Sequence, residues 1–173
     1  MPEAFIGLGS NLGDPAGNLR DAVARIARVA EVVALSSAYR TEPVGLREQP
    51  FFLNAVARVR TELGPRELLA ELAAIEDALG RQRTLPSGPR TIDLDLLLHG
   101  EAEADEPGLR LPHPRMLGRR FVLAPLAELA PAARIGPGGP TAAEALAALP
   151  EGPSVERVVL PGWPPERVPE ARR

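Results

Sequence analysis

The first part of the chain changes from a strand pattern of apolar residues to a helix pattern. Ala4 to Leu8 is a short apolar run that ends in glycines, which predicts a buried strand running into the loop Gly9 to Gly13. Asp14 followed by Pro15 is a typical helix start, because the aspartate can cap the first turn and proline fits its first position. Apolar residues then recur at helical spacing, so the pattern predicts a strand, a loop and a helix.

A second unit of the same kind follows. Val32 to Arg40 is predicted to be extended, and Phe52 to Arg60 alternates in the manner of a strand. Pro65 opens a second helix with a continuous apolar stripe, and Gly80 closes it. The repeat of strand and helix indicates that both units share one sheet.

The remaining pattern completes a mixed fold. Arg90 to His99 is a strong strand candidate, and residues 120–148 predict a helical cover with a short terminal helix. We expect one domain over residues 1–163 and a poorly ordered tail over 164–173. The predicted fold is an α+β sandwich of ferredoxin-like type, with a mostly antiparallel sheet and helices on its faces.

The composition limits the classes of protein to which the chain can belong. It has 173 residues, of which 45% are hydrophobic, and we expect a single-domain monomer in the cytoplasm. The formal net charge of −3 argues against a nucleic-acid binder, because such domains usually carry a basic face. No apolar run approaches the roughly 20 residues that span a bilayer, so we expect no membrane segment.

Two residue types are missing from the sequence altogether. Every basic residue other than histidine is arginine, and the absence of lysine excludes a P-loop and a protein-kinase site, which both need a lysine at the phosphates. The absence of cysteine excludes disulfides, thiol nucleophiles and thiolate metal sites. Any phosphate site must therefore use guanidinium groups, backbone amides or a metal.

The most informative segment is Gly88 to Leu98, in which two aspartates interrupt an apolar strand. Asp93 and Asp95 face one side of that strand, with their Cα atoms about 6.6 Å apart from a rise near 3.3 Å per residue. Carboxylates held that close repel each other, so a cation between them is the simplest reason for the arrangement. Magnesium suits the pair, because it takes one or two carboxylates and borrows other ligands from phosphates. The alternative is the solvated face of an edge strand.

Arginines flank these aspartates on both sides. Such a set matches a phosphoryl-transfer site, where metal and guanidinium groups together neutralise the charge on the oxygens. The alternative is a group of surface ion pairs, which contribute little to stability. The basic residues concerned are Arg81, Arg83, Arg90, Arg110, Arg115, Arg119 and Arg120, with His113 among the later ones.

The other polar candidates carry weaker signals. Asn54 could read the edge of a heterocycle, since an amide both donates and accepts, although a water-bound asparagine is the usual outcome. His113 lies between two prolines on a segment that cannot be helical, and Glu76 lies beside the apolar stripe of the second helix. The glycine loop 7–13 is a tight turn rather than a dinucleotide fingerprint, because its third glycine falls one residue late.

Taken together, six ordered segments between about Ala4 and Pro131 resemble the hydroxymethyl-dihydropterin pyrophosphokinases. The stretch Pro89 to Asp95, with the sequence PRTIDLD, is nearly diagnostic of that family by itself. The matching segments are Ile6–Asp14, Ser37–Gly45, Gln49–Ala55, Ile75–Glu76 with Gly80–Arg81, Gly88–Leu98, and Leu111–Met116 with Arg119–Leu123.

The resemblance implies that ATP gives its terminal diphosphate to 6-hydroxymethyl-7,8-dihydropterin, with release of AMP, in a step of folate synthesis. It implies attack at the β-phosphorus and two Mg²⁺ ions on Asp93 and Asp95. Arg81 and Arg90 would complete the catalytic set. The implied ATP-binding residues are Glu76, Arg81, Arg83, Arg90, Arg110, His113 and Arg119. The implied pterin-binding residues are Thr41, Pro43, Val44, Phe52, Asn54 and Phe121.

Three other classes of function compete with this interpretation. A ferredoxin-like sensor that binds nucleotide without chemistry would explain the fold pattern but not the paired aspartates. An RNA-binding domain is disfavoured by 3% aromatic residues and a negative net charge, since single-strand binding uses stacking platforms. A metal-dependent phosphohydrolase would consume ATP without any pterin.

Overall fold

The computed structural model of the chain describes residues 1–42, 50–80, 91–152 and 155–166. These residues form eight strands and four α-helices, and a single 3-10 turn, Met116–Gly118, precedes the third helix. In chain order the elements are β1 (Glu3–Ser10), α1 (Pro15–Ile26), β2 (Glu31–Leu35), β3 (Ala38–Thr41), β4 (Phe52–Arg60), α2 (Pro65–Ala78), β5 (Asp93–His99), β6 (Ala104–Glu106), β7 (Leu109–Leu111), α3 (Arg120–Leu129), α4 (Ala142–Ala147) and β8 (Val155–Val158).

Six of the strands build one antiparallel sheet. Its order is β5, β1, β4, β3 and β8, and β2 also pairs with β4. The long strand β4 therefore has β1 along one edge and both β2 and β3 along the other. With α1 after β1 and α2 after β4, the connectivity is that of a ferredoxin-like sandwich. The predicted α+β class is confirmed.

Local sequence signals explain where the first two helices begin and end. The Gly17 amide donates to the Asp14 carboxylate at 3.2 Å, so the aspartate caps α1 as expected. At the start of α2 the Glu67 carboxylate accepts from the Gly64 amide at 3.4 Å. Gly80 follows α2 with φ +78°, a left-handed conformation that glycine adopts without strain. Among the helices that the structure describes, none is long and apolar enough to cross a membrane.

The sheet separates two apolar layers. On one face, residues of β1, β4 and β5 pack against α1 and α2, with Ile6, Leu8, Leu19 and Leu72 almost fully buried. On the other face, Phe5, Val56 and Leu97 pack against α3 and α4. Burial of each large side chain contributes about 1.5–3 kcal/mol, so both layers stabilise the sheet.

Three local features differ from the sequence pattern. The predicted extended segment 32–40 is two strands, because the regular pairing with β4 is interrupted at Ser36 and Ser37 between β2 and β3. The predicted strand 90–99 begins as β5 at Asp93, and its first residue lies outside the described part of the chain. The apolar pattern does not predict the hairpin of β6 and β7, whose strands of three residues are too short for a clear alternation.

The C-terminal segment is part of the sheet rather than an appendage. β8 pairs with β3, and Trp163 is buried against the core beneath α1 and α2. The Trp163 indole N–H donates to the Ser36 carbonyl at 3.1 Å. The predicted domain boundary at residue 163 stays a prediction, and residues 167–173 of the predicted tail lie outside the described residues.

Candidate active site

Two rows of residues cross the centre of the sheet from β5 through β1 to β4. Asp93, Gly9 and Asn54 are direct cross-strand neighbours in the first row. In the second row Gly7 lies beside Asp95. Directly opposite residues point to the same face, so both aspartates and Asn54 project from the face that also carries α3. Between them β1 contributes only glycine, which leaves a trough across the sheet.

Gly9 is required by the position of the Asn54 amide. A Cβ atom at residue 9 would lie 2.8 Å from the Asn54 Oδ1, closer than van der Waals contact allows. The Asn54 Nδ2 donates to the Thr41 hydroxyl at 2.7 Å in a buried setting. The amide is therefore fixed between β1 and β3, and the structure brings Thr41 and Asn54 together; their role toward a pterin stays a prediction.

His113 lies next to Asp95 as a neutral imidazole. Burial lowers the pKa of His113, and the positive charges of Arg119 and Arg115 lower it further, against a smaller opposing effect of Asp93. The Arg115 amide donates to the His113 Nδ1 at 3.3 Å, which leaves the ring proton on Nε2. That Nε2 lies 3.9 Å from the Asp95 Oδ1, so the contact is a polar one and not a full ion pair.

The aspartates suit a cation that brings other ligands with it. The Asp95 side chain is 35% exposed, and Asp93 is also partly accessible. Across the described residues no group of three or more His, Asp or Glu side chains could hold a metal ion by itself. Two carboxylates on one face fit magnesium, which commonly takes one or two carboxylates and completes its octahedron with phosphate oxygens and water.

Glu76 is buried beneath the aspartate strand. It is 5% exposed, and its Oε2 accepts from the Leu94 amide of β5 at 3.2 Å, between the two aspartates in sequence. The apolar stripe of α2 therefore includes a carboxylate. The sequence signal for this is its position directly after Ile75 on that stripe, where burial would otherwise favour an apolar residue.

A cavity of about 340 Å³ lies between α2, β5 and the hairpin of β6 and β7. It brings together three of the predicted site residues, Asp95, Arg110 and His113, with apolar side chains. Arg110 is largely exposed and lies 3.5 Å from the Asp105 carboxylate, an ion pair of small energy. The lining is completed by Leu69, Leu94, Leu96, Gly108, Leu109 and Pro114.

Two aromatic residues predicted for the pterin lie on elements that border the trough. Phe52 begins β4 opposite Thr41, and Phe121 is in the first turn of α3. Both rings are half-buried. The Arg119 guanidinium lies 5.4 Å from the centroid of the Phe121 ring, a favourable cation–π distance.

The end of β1, the loop that follows it and the first turn of α1 carry anchoring residues that the sequence pattern does not single out. The Ser10 hydroxyl donates to the Thr91 carbonyl, and the Asn18 Nδ2 donates to the same oxygen at 3.1 Å. The Asn11 Nδ2 donates to the Pro50 carbonyl at 3.0 Å. Ser10 and Asn11 are buried polar residues, so their bonds fix the chain just ahead of β4 and β5.

Five predicted site residues lie outside the described residues. Their roles stay predictions from the sequence. They are the pterin candidates Pro43 and Val44 and the phosphate candidates Arg81, Arg83 and Arg90.

Comparison with known proteins gives a family match over most of the chain. Residues 5–131 match the family described as 7,8-dihydro-6-hydroxymethylpterin-pyrophosphokinase. The chain is 47% identical over 165 residues to the 2-amino-4-hydroxy-6-hydroxymethyldihydropteridine pyrophosphokinase of Pseudomonas aeruginosa, with 94% of this chain and 99% of that protein covered. It is 48% identical over 161 residues to the protein of the same name from Methylorubrum extorquens, with coverage of 91% and 99%.

Solved structures show a related fold at low sequence identity. A crystal structure of HPPK-DHPS in complex with substrates aligns with a TM-score of 0.68 at 13% identity. Plasmodium falciparum HPPK-DHPS with pterin and p-hydroxybenzoate also gives 0.68, at 14% identity. The alignments cover 85% and 84% of this chain but 43% and 41% of those longer chains, so the present chain spans less than half of their length.

Proposed function

Because the chain belongs to the 7,8-dihydro-6-hydroxymethylpterin-pyrophosphokinase family, we propose which of its own residues bind each substrate and which act on the phosphates. The members of this family are diphosphotransferases of folate biosynthesis that use ATP. ATP would donate its β- and γ-phosphates as a unit to the hydroxymethyl group of 6-hydroxymethyl-7,8-dihydropterin. The products would be AMP and the pterin diphosphate.

The observation that carries this proposal is the row from Asp93 through Gly9 to Asn54. Two interstrand spacings of about 4.8 Å separate its ends by about 10 Å. A bicyclic ring with a hydroxymethyl substituent can bridge that distance, with its polar edge at Asn54 and its hydroxyl toward the aspartates. The glycine between them leaves room for the ring, and no described side chain of β1 intrudes there.

The heterocycle end of the trough would bind the pterin. Asn54 and Thr41 supply an amide and a hydroxyl already oriented by their mutual hydrogen bond, so little conformational entropy would be lost on binding. Phe52 and Phe121 would cover the ring from the two sides, as aromatic side chains commonly do for planar ligands. Pro43 and Val44 are proposed from the sequence to complete this pocket.

The carboxylate end would hold the phosphates through Mg²⁺. Asp93 and Asp95 would bind two ions. When bound, these ions would orient the phosphate chain and neutralise its charge. Arg81, Arg83 and Arg90 are proposed to add guanidinium contacts, and Arg119 can approach from the start of α3. His113 would face this region through its Nε2–H and donate a hydrogen bond without adding charge.

The cavity beside β5 would receive the rest of the nucleotide. Its apolar walls, including Leu69 and Leu109, suit a purine ring, and Arg110 and His113 supply polar contacts at its edge. Glu76 would act from beneath, since its carboxylate holds the β5 backbone that carries both aspartates.

In the proposed step the pterin hydroxyl oxygen attacks the β-phosphorus in line with the leaving group. The bond from the β-phosphorus to the oxygen that bridges it to the α-phosphate breaks, and AMP departs with that electron pair. The hydroxyl proton passes to solvent or to phosphate oxygen, because no described side chain is assigned as a base. Positioning and electrostatic stabilisation carry the catalysis.

The fate of labelled phosphate tests this proposal. ATP carrying a labelled γ-phosphate is incubated with the protein, magnesium and the pterin, and the label is followed chromatographically. We expect it in the pterin product, at the terminal phosphate of a diphosphate, with unlabelled AMP formed alongside. Label released as inorganic phosphate, or transferred alone with formation of ADP, would contradict the proposal.

A further inference from the structure

The corner between β2 and β3 is held by several elements at once. Ser36 pairs with Val56 of β4 through its amide at 2.9 Å and its hydroxyl at 2.8 Å. From the face of α1 and α2, Trp163 donates to the Ser36 carbonyl. On the opposite face lies Glu128, in the last turn of α3. The corner is thus the point at which α3 and the C-terminal segment meet the strand that carries Thr41.

Glu128 collects donors from the corner with both carboxylate oxygens. The Ser37 amide donates to Oε2 at 2.9 Å and the Ser37 hydroxyl to Oε1 at 2.6 Å. The Tyr39 hydroxyl donates to Oε2 at 3.0 Å. Arg157 of β8 lies 3.2 Å from Oε1. The Glu128 side chain is 21% exposed, and hydrogen bonds to an ionised carboxylate are stronger than those between neutral groups.

Tyr39 connects this carboxylate to the proposed pterin site. It is the direct cross-strand neighbour of Asn54, so the two side chains share the α3 face. Its ring is buried at 8% exposure, and its hydroxyl reaches α3. The same helix carries Phe121 in its first turn, two turns before Glu128. The hydrogen bond from Tyr39 to Glu128 therefore joins β3, which lies beside Asn54 and carries Thr41, to α3, which carries Phe121.

We propose that Glu128 is a positioning residue for the pterin site, which fixes the spacing between β3 and α3 through Tyr39 and Ser37 and so sets the width of the slot that receives the ring. The inference rests on the proposed function, because it assumes that a planar heterocycle lies between Asn54 and Phe121. It predicts selectivity: loss of Glu128 should affect the pterin and leave the nucleotide cavity on the far side of β5 unchanged.

Kinetics of Glu128→Ala test this directly, with Tyr39→Phe as a milder second variant. We expect Glu128→Ala to raise KM for the pterin about tenfold, the scale of one lost hydrogen bond to a charged group, with KM for ATP near the wild-type value. Tyr39→Phe should raise it about threefold, because the Ser37 bonds remain. Glu128→Gln should recover most of the loss, since the amide oxygen can accept from the Ser37 N–H and the Tyr39 hydroxyl while the amide nitrogen donates to the Ser37 hydroxyl oxygen.

Arg157→Ala is the matched control. Its side chain is 60% exposed and contacts both the Glu128 carboxylate and the Tyr39 hydroxyl, whereas the bonds from Glu128 to Ser37 and Tyr39 remain without it, so we expect both KM values to stay near those of the wild type. Tyr39 is the only tyrosine of the chain, so its ionisation can be followed by ultraviolet absorbance. Burial raises the pKa of Tyr39 most, the hydrogen bond with Arg157 lowers it, and the Glu128 carboxylate raises it, so Glu128→Ala should lower that pKa.

Three outcomes would overturn the inference. They are equal rises in both KM values, an unchanged KM for the pterin in folded Glu128→Ala and Tyr39→Phe, or an unchanged pKa of Tyr39 in Glu128→Ala. If Glu128→Ala does not fold, Tyr39→Phe decides the result. A wild-type protein that turns over ATP and pterin while the variants behave as wild type would leave the proposed function intact. A wild-type protein that forms no pterin diphosphate would instead overturn the proposed function and this inference with it.

Discussion

The two faces of β1 carry different kinds of residue along the same strand. Toward α1 and α2 the strand presents Ile6 and Leu8, both almost fully buried in a continuous apolar layer. Toward α3 it presents Phe5, which is packed, and then Gly7 and Gly9, which offer no side chain to pack. The α3 face is therefore a core at one end and a polar trough at the other.

This difference separates residues that stabilise the fold from residues that serve the site. Glycine within a strand costs roughly 0.5–1 kcal/mol relative to alanine, and adjacent carboxylates lower strand propensity further. These costs concentrate at one end of one face, around Gly9, Asp93 and Asp95, whereas the opposite face is apolar except for the buried Ser10 and Glu76. Departures from local rules that cluster in this manner are typical of functional sites.

The largest expected effect is the loss of turnover when a site residue on the α3 face of the sheet is replaced. Asp95→Ala should reduce turnover at least about 100-fold, the scale on which loss of a group that stabilises transition-state charge acts. Its free energy of unfolding should change little, because the side chain is 35% exposed. Steady-state rates and denaturant unfolding measure the two effects.

Leu8→Ala is the matched variant on the other face. It should lower the free energy of unfolding by about 2–5 kcal/mol, the usual cost of a cavity in a core. Below its melting temperature it should retain turnover. An Asp95→Ala protein with full turnover, or a Leu8→Ala protein as stable as the wild type, would remove the distinction between the faces.

Asn54→Ala should produce the next largest effect. Loss of the amide removes the hydrogen bond to Thr41 and the proposed contact with the pterin. We expect KM for the pterin to rise at least about tenfold, from the loss of one buried hydrogen bond, with little change in KM for ATP. Comparable losses for both substrates would show that the pterin pocket lies elsewhere.

The two glycines of β1 sharpen the comparison within the trough itself. Gly9→Ala places a Cβ 2.8 Å from the Asn54 Oδ1, so the amide must move, and KM for the pterin should rise about threefold to tenfold. At Gly7 the nearest atoms to a new Cβ belong to Leu97 at 3.6 Å, an ordinary contact. Gly7→Ala should therefore fold and bind the pterin as the wild type does. Equal behaviour of the two variants would contradict the assigned role of Gly9.

The smallest effect concerns the pH dependence of stability at the rim of the trough. Because the pKa of Tyr39 is raised by folding, the folded state keeps a proton that the unfolded state loses above about pH 10. Stability should thus fall as pH rises from about 10 toward the folded pKa. Tyr39→Phe should lack this component, and no lysine titrates in the same range. If the wild type and Tyr39→Phe show the same dependence of unfolding free energy on pH, the pKa of Tyr39 is not raised by folding.

The sequence predicts the fold where periodicity is long and the termini of elements carry clear signals. The two strand and helix units, with Asp14 and Gly80 at their ends, are confirmed, as is the antiparallel sheet. The interruption at Ser36 is not predicted, because it depends on hydrogen bonds with Val56 and Trp163, which are distant in sequence. β8 is likewise not predicted, since its partly exposed residues are defined as a strand by pairing with β3 rather than by an apolar pattern of their own.

The candidate site is predicted unevenly for the same reason. The aspartate pair and Asn54 follow from strand alternation, which fixes their face without knowledge of the partners. Glu128 looks like an ordinary helical acid in the sequence, and only its tertiary contact shows that it accepts from the Ser37 amide just before β3. Glu76 is named by the family resemblance, but its bond to the Leu94 amide of β5 appears only in the tertiary structure. Ser10 and Asn11 are similar, because their acceptors lie 81 and 39 residues away, respectively.

The most direct test of the central claim is product analysis of the wild-type protein with ATP and magnesium, in the presence and in the absence of 6-hydroxymethyl-7,8-dihydropterin. AMP and the pterin diphosphate are quantified together over the early part of the reaction. The proposal predicts that the two products form in equal amounts and that AMP formation stops when the pterin is omitted. AMP formed at the same rate without the pterin, or ATP left unchanged with it, would contradict the claim.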